Sequence, residues 1–315
     1  MLQSSKPPVI FLLGPTASGK TDWAIEWQKL FNRIEIISVD SVMIYQGCDI
    51  GSAKPAKDIL AKHPHHLIDE AGLDQIFSVA DFCQAAHRLI KDIHGRNNYP
   101  LLVGGSMMYF NVLKKGMRSL PSADSNFRAQ LEIRIQNEGI TSLYDALCVL
   151  DKEVASSIKP QDTQRIIRAL EIIHLSSSAP PSNKAASTYI PLAKQYTLNE
   201  YGIFPMERSL LHKRIEARQH ELVEGGLLQE VQELNEQFDL SPDHPAMKAV
   251  NYRQALQVIR GEISKDDLFE RSLYATRQLA KRQCTWMRGW RDLRTFDINE
   301  YDLATKHLKK HLNFT

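Results

Sequence analysis

No stretch of this 315-residue chain comes near the roughly twenty consecutive apolar residues that a bilayer requires, which leaves no candidate for a membrane-spanning helix. Residues 1–8 lack the pattern of a secretory leader, and the apolar run behind them is too short to serve as one, so the expectation is a cytoplasmic protein. Cysteine is scarce: Cys48, Cys83, Cys148 and Cys284 stand singly, without metal-ligand spacing, which points to buried reduced thiols, no disulfides and no zinc. Excess charge of either sign is also missing. The 39 Lys and Arg nearly balance the 37 Asp and Glu, leaving +2, so any nucleic-acid surface must be a local patch. There is no internal repeat. What remains is ordinary globular composition, 43% hydrophobic and 24% charged, in a length that suits one large domain or two modest ones.

The chain is organised around Gly14-Pro15-Thr16-Ala17-Ser18-Gly19-Lys20-Thr21, which satisfies G-x-x-x-x-G-K-[ST] in full. Val9 to Leu13 before it is an apolar run of strand length. Asp22 to Leu30 after it has helical spacing, with Trp23, Ala24, Ile25, Trp27 and Leu30 available to a buried face. A strand, a glycine turn and a helix start gather backbone N–H groups and a positive helix end around one anion. Lys20 adds a point charge for an outer phosphate, and the Thr21 hydroxyl is placed to hold Mg²⁺. This much implies a di- or triphosphate ligand and leaves the reaction open.

Ile34 to Val39 reads as a second strand ending on Asp40, and Tyr99 to Val103 as a third ending on Gly104-Gly105-Ser106. Between them lies a helix over Ser78 to His94. Ser78 is its N-cap, Asp81 completes a capping box, and Val79, Phe82, Ala86, Leu89, Ile90 and Ile93 share a face. Strands alternating with helices predict a parallel α/β sheet of the phosphate-loop NTPase-like class with flanking helices. Ligands of such sheets sit beyond the carboxyl ends of the strands, so Gly14 to Thr21, Asp40 to Tyr45 and Gly104 to Ser106 should open onto one crevice. After Pro121 strand signals vanish until about Tyr201. Helices are predicted at 124–137, 143–157 and 162–175, the last capped by Asp162 and burying Ile166, Ile167, Leu170 and Ile173, and a Ser/Pro-rich loop follows. The division is therefore a core over 1–119, an all-helical insertion over 120–199, and core completion with basic helices over 200–315. Tyr201 to Phe204 reads as a returning strand, followed by helices at 208–224, 227–237, 252–259 and 265–290.

Asp40, following an apolar strand in a phosphate-loop protein, has two chemical readings: a Mg²⁺-associated carboxylate, or a general base in the substrate crevice. Ser106 adds a hydroxyl beside the same crevice. Arg208, Arg214 and Arg218 follow Pro205 on a helix, and Arg214 and Arg218 share a face from which they could stabilise a departing diphosphate, unless that face is simply solvated. The densest basic stretch is Arg271 to Arg294, whose cations are interleaved with Tyr274, Trp286 and Trp290, a mixture suited to phosphates and bases. His65 and His66 have no partner at metal spacing and read as structural.

Together these blocks resemble the bacterial tRNA dimethylallyltransferase family. The resemblance covers nearly the whole chain and rests on GPTASGKT (14–21), DSVMIYQGCDIGSAKP (40–55), HHLID (65–69), GGSMMYF (104–110), LPSAD (120–124), DTQRIIRALE (162–171), ERSLLHKRIEAR (207–218), MKAVNYRQAL (247–256) and RQLAKRQCTWMRGW (277–290). It implies transfer of a dimethylallyl group from dimethylallyl diphosphate to N6 of adenosine 37 in tRNA, with Mg²⁺ as cofactor and the protein acting as a monomer. By this resemblance Asp40 is the general base and Ser106 and Lys20 assist at the reacting centre. Gly14, Pro15, Thr16, Ala17, Ser18, Gly19, Lys20, Thr21 and Arg218 hold the diphosphate. Contacts to tRNA fall on Asp40, Ser41, Val42, Met43 and Ser106, on Gln164, Arg165, Ile166, Ile167 and Arg168 of the insertion, on Lys248, Ala249, Val250, Asn251, Tyr252 and Arg253, and on Gln278, Lys281, Arg282 and Gln283. Three positions depart from the family pattern: Ser106 replaces Thr, Asn251 replaces Gly, and Lys159-Pro160-Gln161 replaces His-Pro-Asn. No Cys/His extension follows Trp290, unlike the zinc-bearing eukaryotic branch. The rival readings are a small-molecule kinase, which leaves the basic-aromatic stretch without a purpose, and an RNA-binding module that only senses nucleotide.

Overall fold

A computed structural model of the chain describes residues 6–116, 121, 124–177 and 190–312. In chain order its elements begin β1 (Pro8–Leu13), α1 (Lys20–Leu30), β2 (Ile34–Val39), α2 (Lys57–Lys62), β3 (His65–His66), α3 (Val79–Gly95), β4 (Tyr99–Gly104) and α4 (Met107–Lys115). Then come α5 (Ser125–Glu138), α6 (Ile140–Leu150), α7 (Lys152–Ser156), α8 (Thr163–Ser177), α9 (Leu192–Gln195), β5 (Thr197–Ile203), α10 (Arg208–Glu224) and α11 (Leu227–Phe238). The last are α12 (Tyr252–Ile259), α13 (Leu268–Arg288), β6 (Arg294–Phe296) and α14 (Tyr301–Leu312).

Two compact units result: Met1–Gly116 with Tyr189–Thr315, and Met117–Thr188. The first holds a six-stranded sheet in the order β3-β2-β4-β1-β5-β6, every pairing parallel. Alternate residues of a strand face opposite ways, and both faces of this sheet are covered. Val9, Phe11 and Leu13 pack with Phe82, Ile90, Val231 and Ala255 of α3, α11 and α12. Ile10 and Leu12 pack with Trp23, Trp27, Ala304 and Leu308 of α1 and α14 on the other side. That double burial is why these strands read as unbroken apolar runs. The α3 capping box forms as expected, with Ser78 Oγ accepting from Asp81 N and the Asp81 carboxylate accepting from Ser78 N. Leu30, expected on the buried face of α1, is instead half exposed at the helix end.

The core resumes earlier than the sequence suggests. β5 starts at Thr197 rather than Tyr201, and residues 190–199, expected in the insertion, belong to the sheet-bearing unit. Asn199 and Glu200 hid this start. Glu200 is buried only because its carboxylate accepts from Lys114 Nζ at 2.8 Å and from the Trp290 indole N–H at 2.5 Å. β6 and α14 were not expected either. β6 is a three-residue edge strand, too short to carry a period, and α14 closes the sheet face through Ala304, Leu308 and Leu312.

The second unit is all helix among its described residues. The helix expected over 143–157 is two, α6 and α7, because Asp151 leaves helical geometry (φ −152°) and caps α7 by accepting from Val154 N. Its core joins Leu131, Leu143, Leu147, Ile166 and Leu170. Glu171, fully buried, accepts two bonds from Arg128, one from Arg168 and one from Asp124 N. Burial alone would raise its carboxyl, but the bonds from Arg128 and Arg168 hold it down at about 2.

Candidate active site

The register places three strand ends side by side. Leu13 of β1 and Val39 of β2 both pair with Gly104 of β4, so the phosphate loop, Asp40 and Gly105-Ser106 leave the sheet at one level. Gly104 has to be glycine: a Cβ there would lie 2.0 Å from the Val39 carbonyl oxygen. These ends and the helices above them enclose a cavity of about 370 Å³, lined entirely by residues of the sheet-bearing unit.

On one wall, Ala17 (φ 61°) and Gly19 (φ 87°) take positive φ, a conformation that gathers successive N–H groups into a concavity for an anion. Lys20 opens α1, and its Nζ donates to the Pro15 carbonyl at 3.2 Å. Burial pushes the Lys20 ammonium down to about 8, the charge of Arg218 adds to the depression, and the Asp40 carboxylate opposes it. Arg218 of α10 lines the cavity. Burial pushes its guanidinium down as well, with Asp22 and Glu221 acting the other way. Arg214, one turn earlier, sets its Nη1 beside Gly19, 3.6 Å from where a Cβ would stand. Arg208 instead donates to His212 Nε2 at the start of the helix. Two of the three arginines are therefore at the phosphate loop.

Asp40 lines the same cavity, and its charge acts on Lys20. Its Oδ1 accepts from Val42 N at 2.9 Å and Met43 N at 3.2 Å, and among the described residues Oδ2 accepts nothing. One oxygen thus fixes the carboxylate while the other remains for a ligand. Ser106, at the entry to α4, lines the same cavity, as do Thr21, Ser41, Val42 and Met43.

The supporting residues were the part that sequence reasoning missed. Glu230 of α11 accepts from Asp49 N, Ile50 N and Gly51 N, and from the Tyr252 hydroxyl at 2.7 Å. Its carboxylate therefore ties down the segment whose Gly51, Ser52 and Ala53 form cavity wall. Lys54, its side chain almost wholly buried, binds Asp49 at 2.6 Å and the Tyr45 carbonyl at 3.0 Å. Replacing Glu230 with Ala strands several part-buried donors at about 1–3 kcal/mol each, so the unfolding midpoint should fall by the equivalent of roughly 3 kcal/mol or more. An unchanged midpoint in chemical denaturation would show that Glu230 is not the anchor. Nothing in the sequence separates Glu230 from the other acids of α11; only its i+3 spacing from the buried Leu227 hints at an inward turn.

Gln283 of α13 makes a second link. Its Oε1 accepts from Thr16 N at 2.9 Å and its Nε2 donates to the Gly105 carbonyl at 3.0 Å. The amide of this buried residue, assigned by resemblance to an RNA contact, is spent on joining the phosphate loop to the Gly104-Gly105 turn. Asn251, where the family pattern has Gly, has φ 75°, and its Nδ2 donates to the Gly51 carbonyl at 2.9 Å. Asn is among the side chains that tolerate such a φ.

Of the remaining residues implied by resemblance, Lys248, Ala249, Val250, Tyr252 and Arg282 line the cavity, while Arg253 and Lys281 are exposed outside it and Gln278 is half-buried. Gln164, Arg165, Ile166, Ile167 and Arg168 belong to the helical unit. There Gln164 and Arg165 are exposed, Ile166 and Ile167 pack into the unit's core, and Arg168 is paired with Glu171. Ser38, His65, Gln219, Leu222 and Thr276 also line the cavity and were not anticipated.

Among the described residues no cluster of three His, Cys, Asp or Glu forms a metal cage. The cavity offers a hydroxyl on Thr21 and a carboxylate on Asp40, hard oxygen donors that suit Mg²⁺ held mainly by phosphate oxygens and water. The arrangement can bind a diphosphate, neutralise it, and accept a proton from a group brought against Asp40. Among the described residues no helix is long and apolar enough to cross a membrane.

Residues 43–290 match the family model described as IPP transferase. Among solved structures, the full-length tRNA isopentenylpyrophosphate transferase of Bacillus halodurans is 33% identical, with 98% of this chain and 95% of that chain covered and a TM-score of 0.68. The tRNA delta(2)-isopentenylpyrophosphate transferase of Staphylococcus epidermidis is 32% identical, with 97% and 100% covered and a TM-score of 0.67. A eukaryotic dimethylallyltransferase acting on tRNA, 23% identical over 96% of this chain and 78% of that one, shares the fold at a TM-score of 0.72. With its phosphate loop, its facing carboxylate and a match across most of its length, this chain belongs to the IPP transferase family of prenyl-type transferases.

Proposed function

We propose that the chain transfers the dimethylallyl group of dimethylallyl diphosphate to N6 of adenosine 37 in the tRNA anticodon loop, releasing diphosphate. The observation that carries this reading is one cavity lined both by the Lys20 and Arg218 cations and by the Asp40 carboxylate with its free oxygen. That the similar bacterial proteins are tRNA transferases supports tRNA as the acceptor.

In this reading the C1–O bond of the donor breaks and its electron pair leaves with the diphosphate. Lys20, Arg218, Arg214 and the loop N–H groups take up the growing negative charge. The Thr21 hydroxyl would hold Mg²⁺, which would supply further positive charge there. The N6 amine forms the new N–C bond and its proton passes to Asp40 Oδ2. Ser106 offers a hydroxyl to the same centre. An exocyclic amine inside a stacked loop cannot reach this cavity, so the base has to swing out. Ser41 to Met43, Lys248 to Arg253 and the exposed side of α13, with Lys281 and Arg282, provide contacts to the RNA, and Gln164 and Arg165 of the helical unit provide others.

Incubation with dimethylallyl diphosphate, Mg²⁺ and unmodified tRNA should add one dimethylallyl group per tRNA at position 37, read by nucleoside mass spectrometry. Rapid ATP hydrolysis without RNA modification would instead establish the kinase reading.

A further inference from the structure

At the carboxyl end of α13 lies a groove of about 560 Å³, outside the cavity described above. Lys114 and Lys115 of α4 face Trp286, Trp290 and Arg291 across it. Its floor is built. The Trp290 indole N–H donates to Glu200 at 2.5 Å, and Lys114 Nζ, 5.5 Å from the centre of that ring, binds both Glu200 and Asp292. Lys114 offsets one of these two acids, so with Lys115 and Arg291 the cations at this end outnumber the carboxylates by one. Lys115 and Arg291 are exposed and make no close salt bridge among the described residues, although the Arg291 charge acts on Asp292. Trp286 is 43% exposed, unusual for a tryptophan on a helix that buries Gln283 and Met287 beside it.

Position along the helix gives the groove its meaning. Trp286 is one turn beyond Arg282, which lines the cavity. Four residues rise about 6 Å, the span of one or two nucleotide steps of at least about 3.4 Å each. We propose that this groove is a second RNA subsite, in which Trp286 stacks on an unpaired nucleotide flanking the base that enters the cavity, while Lys115 and Arg291 meet the adjoining phosphates. It rests on the RNA-modifying reading above. A purely apolar ligand would leave the two cations unused, and an acidic peptide would leave the indole face unused. A single-stranded nucleotide uses both.

The test uses the full chain and an anticodon stem-loop RNA carrying 2-aminopurine on one or the other side of the target adenosine. Binding should quench the fluorophore at one flank. W286A should abolish that quench and weaken RNA binding about five- to a hundredfold, the range for loss of one stacked base, while W286F stays within a few-fold of the parent. The double substitution of Lys115 and Arg291 by Ala should lower the slope of log affinity against log salt by about 1.4, two contacts to a single strand. Parent-like quench and affinity in W286A would overturn the subsite. Dimethylallyl incorporation by the parent is measured alongside: quenching without transfer refutes the reaction and leaves the subsite standing, whereas transfer with W286A indistinguishable from the parent does the opposite.

Discussion

Replacing Asp40 with Asn is expected to lower the turnover number for prenyl transfer by about 10²- to 10⁴-fold, the range for loss of a positioned general base. Asn is the informative substitution because Asp40 has two duties. Its Oδ1 holds Val42 N and Met43 N, and an amide oxygen can keep both bonds. Only the basic Oδ2 is lost. Asp40→Ala removes both duties, so its effect mixes a missing base with a loosened loop. RNA affinity of the Asn variant should stay within a few-fold of the parent, because the loop that carries Ser41 to Met43 keeps its anchor. Turnover within tenfold of the parent in a single-turnover assay, with RNA saturating, would remove Asp40 from the proton path.

Lys20→Met is expected to weaken donor binding and slow transfer together, by about 10²-fold or more in kcat/KM, since a charge aimed at the leaving group acts most strongly as that group departs. The pH dependence is the sharper test. In the free protein the Lys20 ammonium titrates at about 8, well below its ordinary 10.5, because burial and Arg218 disfavour the cation more than Asp40 favours it. A bound diphosphate favours the cation and raises that value. Binding therefore takes up a proton above pH 8, and the Kd for a non-reactive donor analogue should rise about tenfold per pH unit from about pH 8 towards the bound-state value. Below about pH 8 Lys20 is charged in both states and contributes no slope. In Lys20→Met the rise should vanish, and whatever slope remains belongs to the ligand's own titration. Calorimetry from about pH 7 to about pH 9.5 measures both. Identical slopes in parent and variant would mean that Lys20 does not face the diphosphate.

Much of this site could be read in advance because its parts are short and local. A phosphate loop is a contiguous octapeptide between a strand and a helix, and a parallel sheet brings the carboxyl ends of its strands together without further information. Asp40 and Ser106 were legible for that reason. The helical phase of α10 put Arg214 and Arg218 on one face, and the family resemblance singled out Arg218. What stayed hidden depends on contacts between segments far apart in the chain. Glu230 reaches back some 180 residues to three N–H groups, and Gln283 reaches 267 residues to Thr16. Only its spacing from Leu227 marks Glu230, and the 277–290 block marks Gln283 for RNA and not for this link. The early start of β5 was hidden for a related reason: Glu200 interrupts an apolar strand, and only Lys114 and Trp290, remote in sequence, make its burial tolerable. The basic-aromatic stretch was visible as composition, but its division between a cavity-lining turn at Arg282 and a groove at Trp286 needed the helix in space.

The carboxamide of Gln283 has consequences beyond its own two bonds. One end meets a donor and the other an acceptor, so the position discriminates by polarity and not by shape. A glutamate of the same outline would set oxygen against the Gly105 carbonyl, about 3.0 Å away, and turn an attraction into a repulsion. The seam between the two strand-end turns is thus chemically polarised, and it admits one isostere while rejecting its nearest copy.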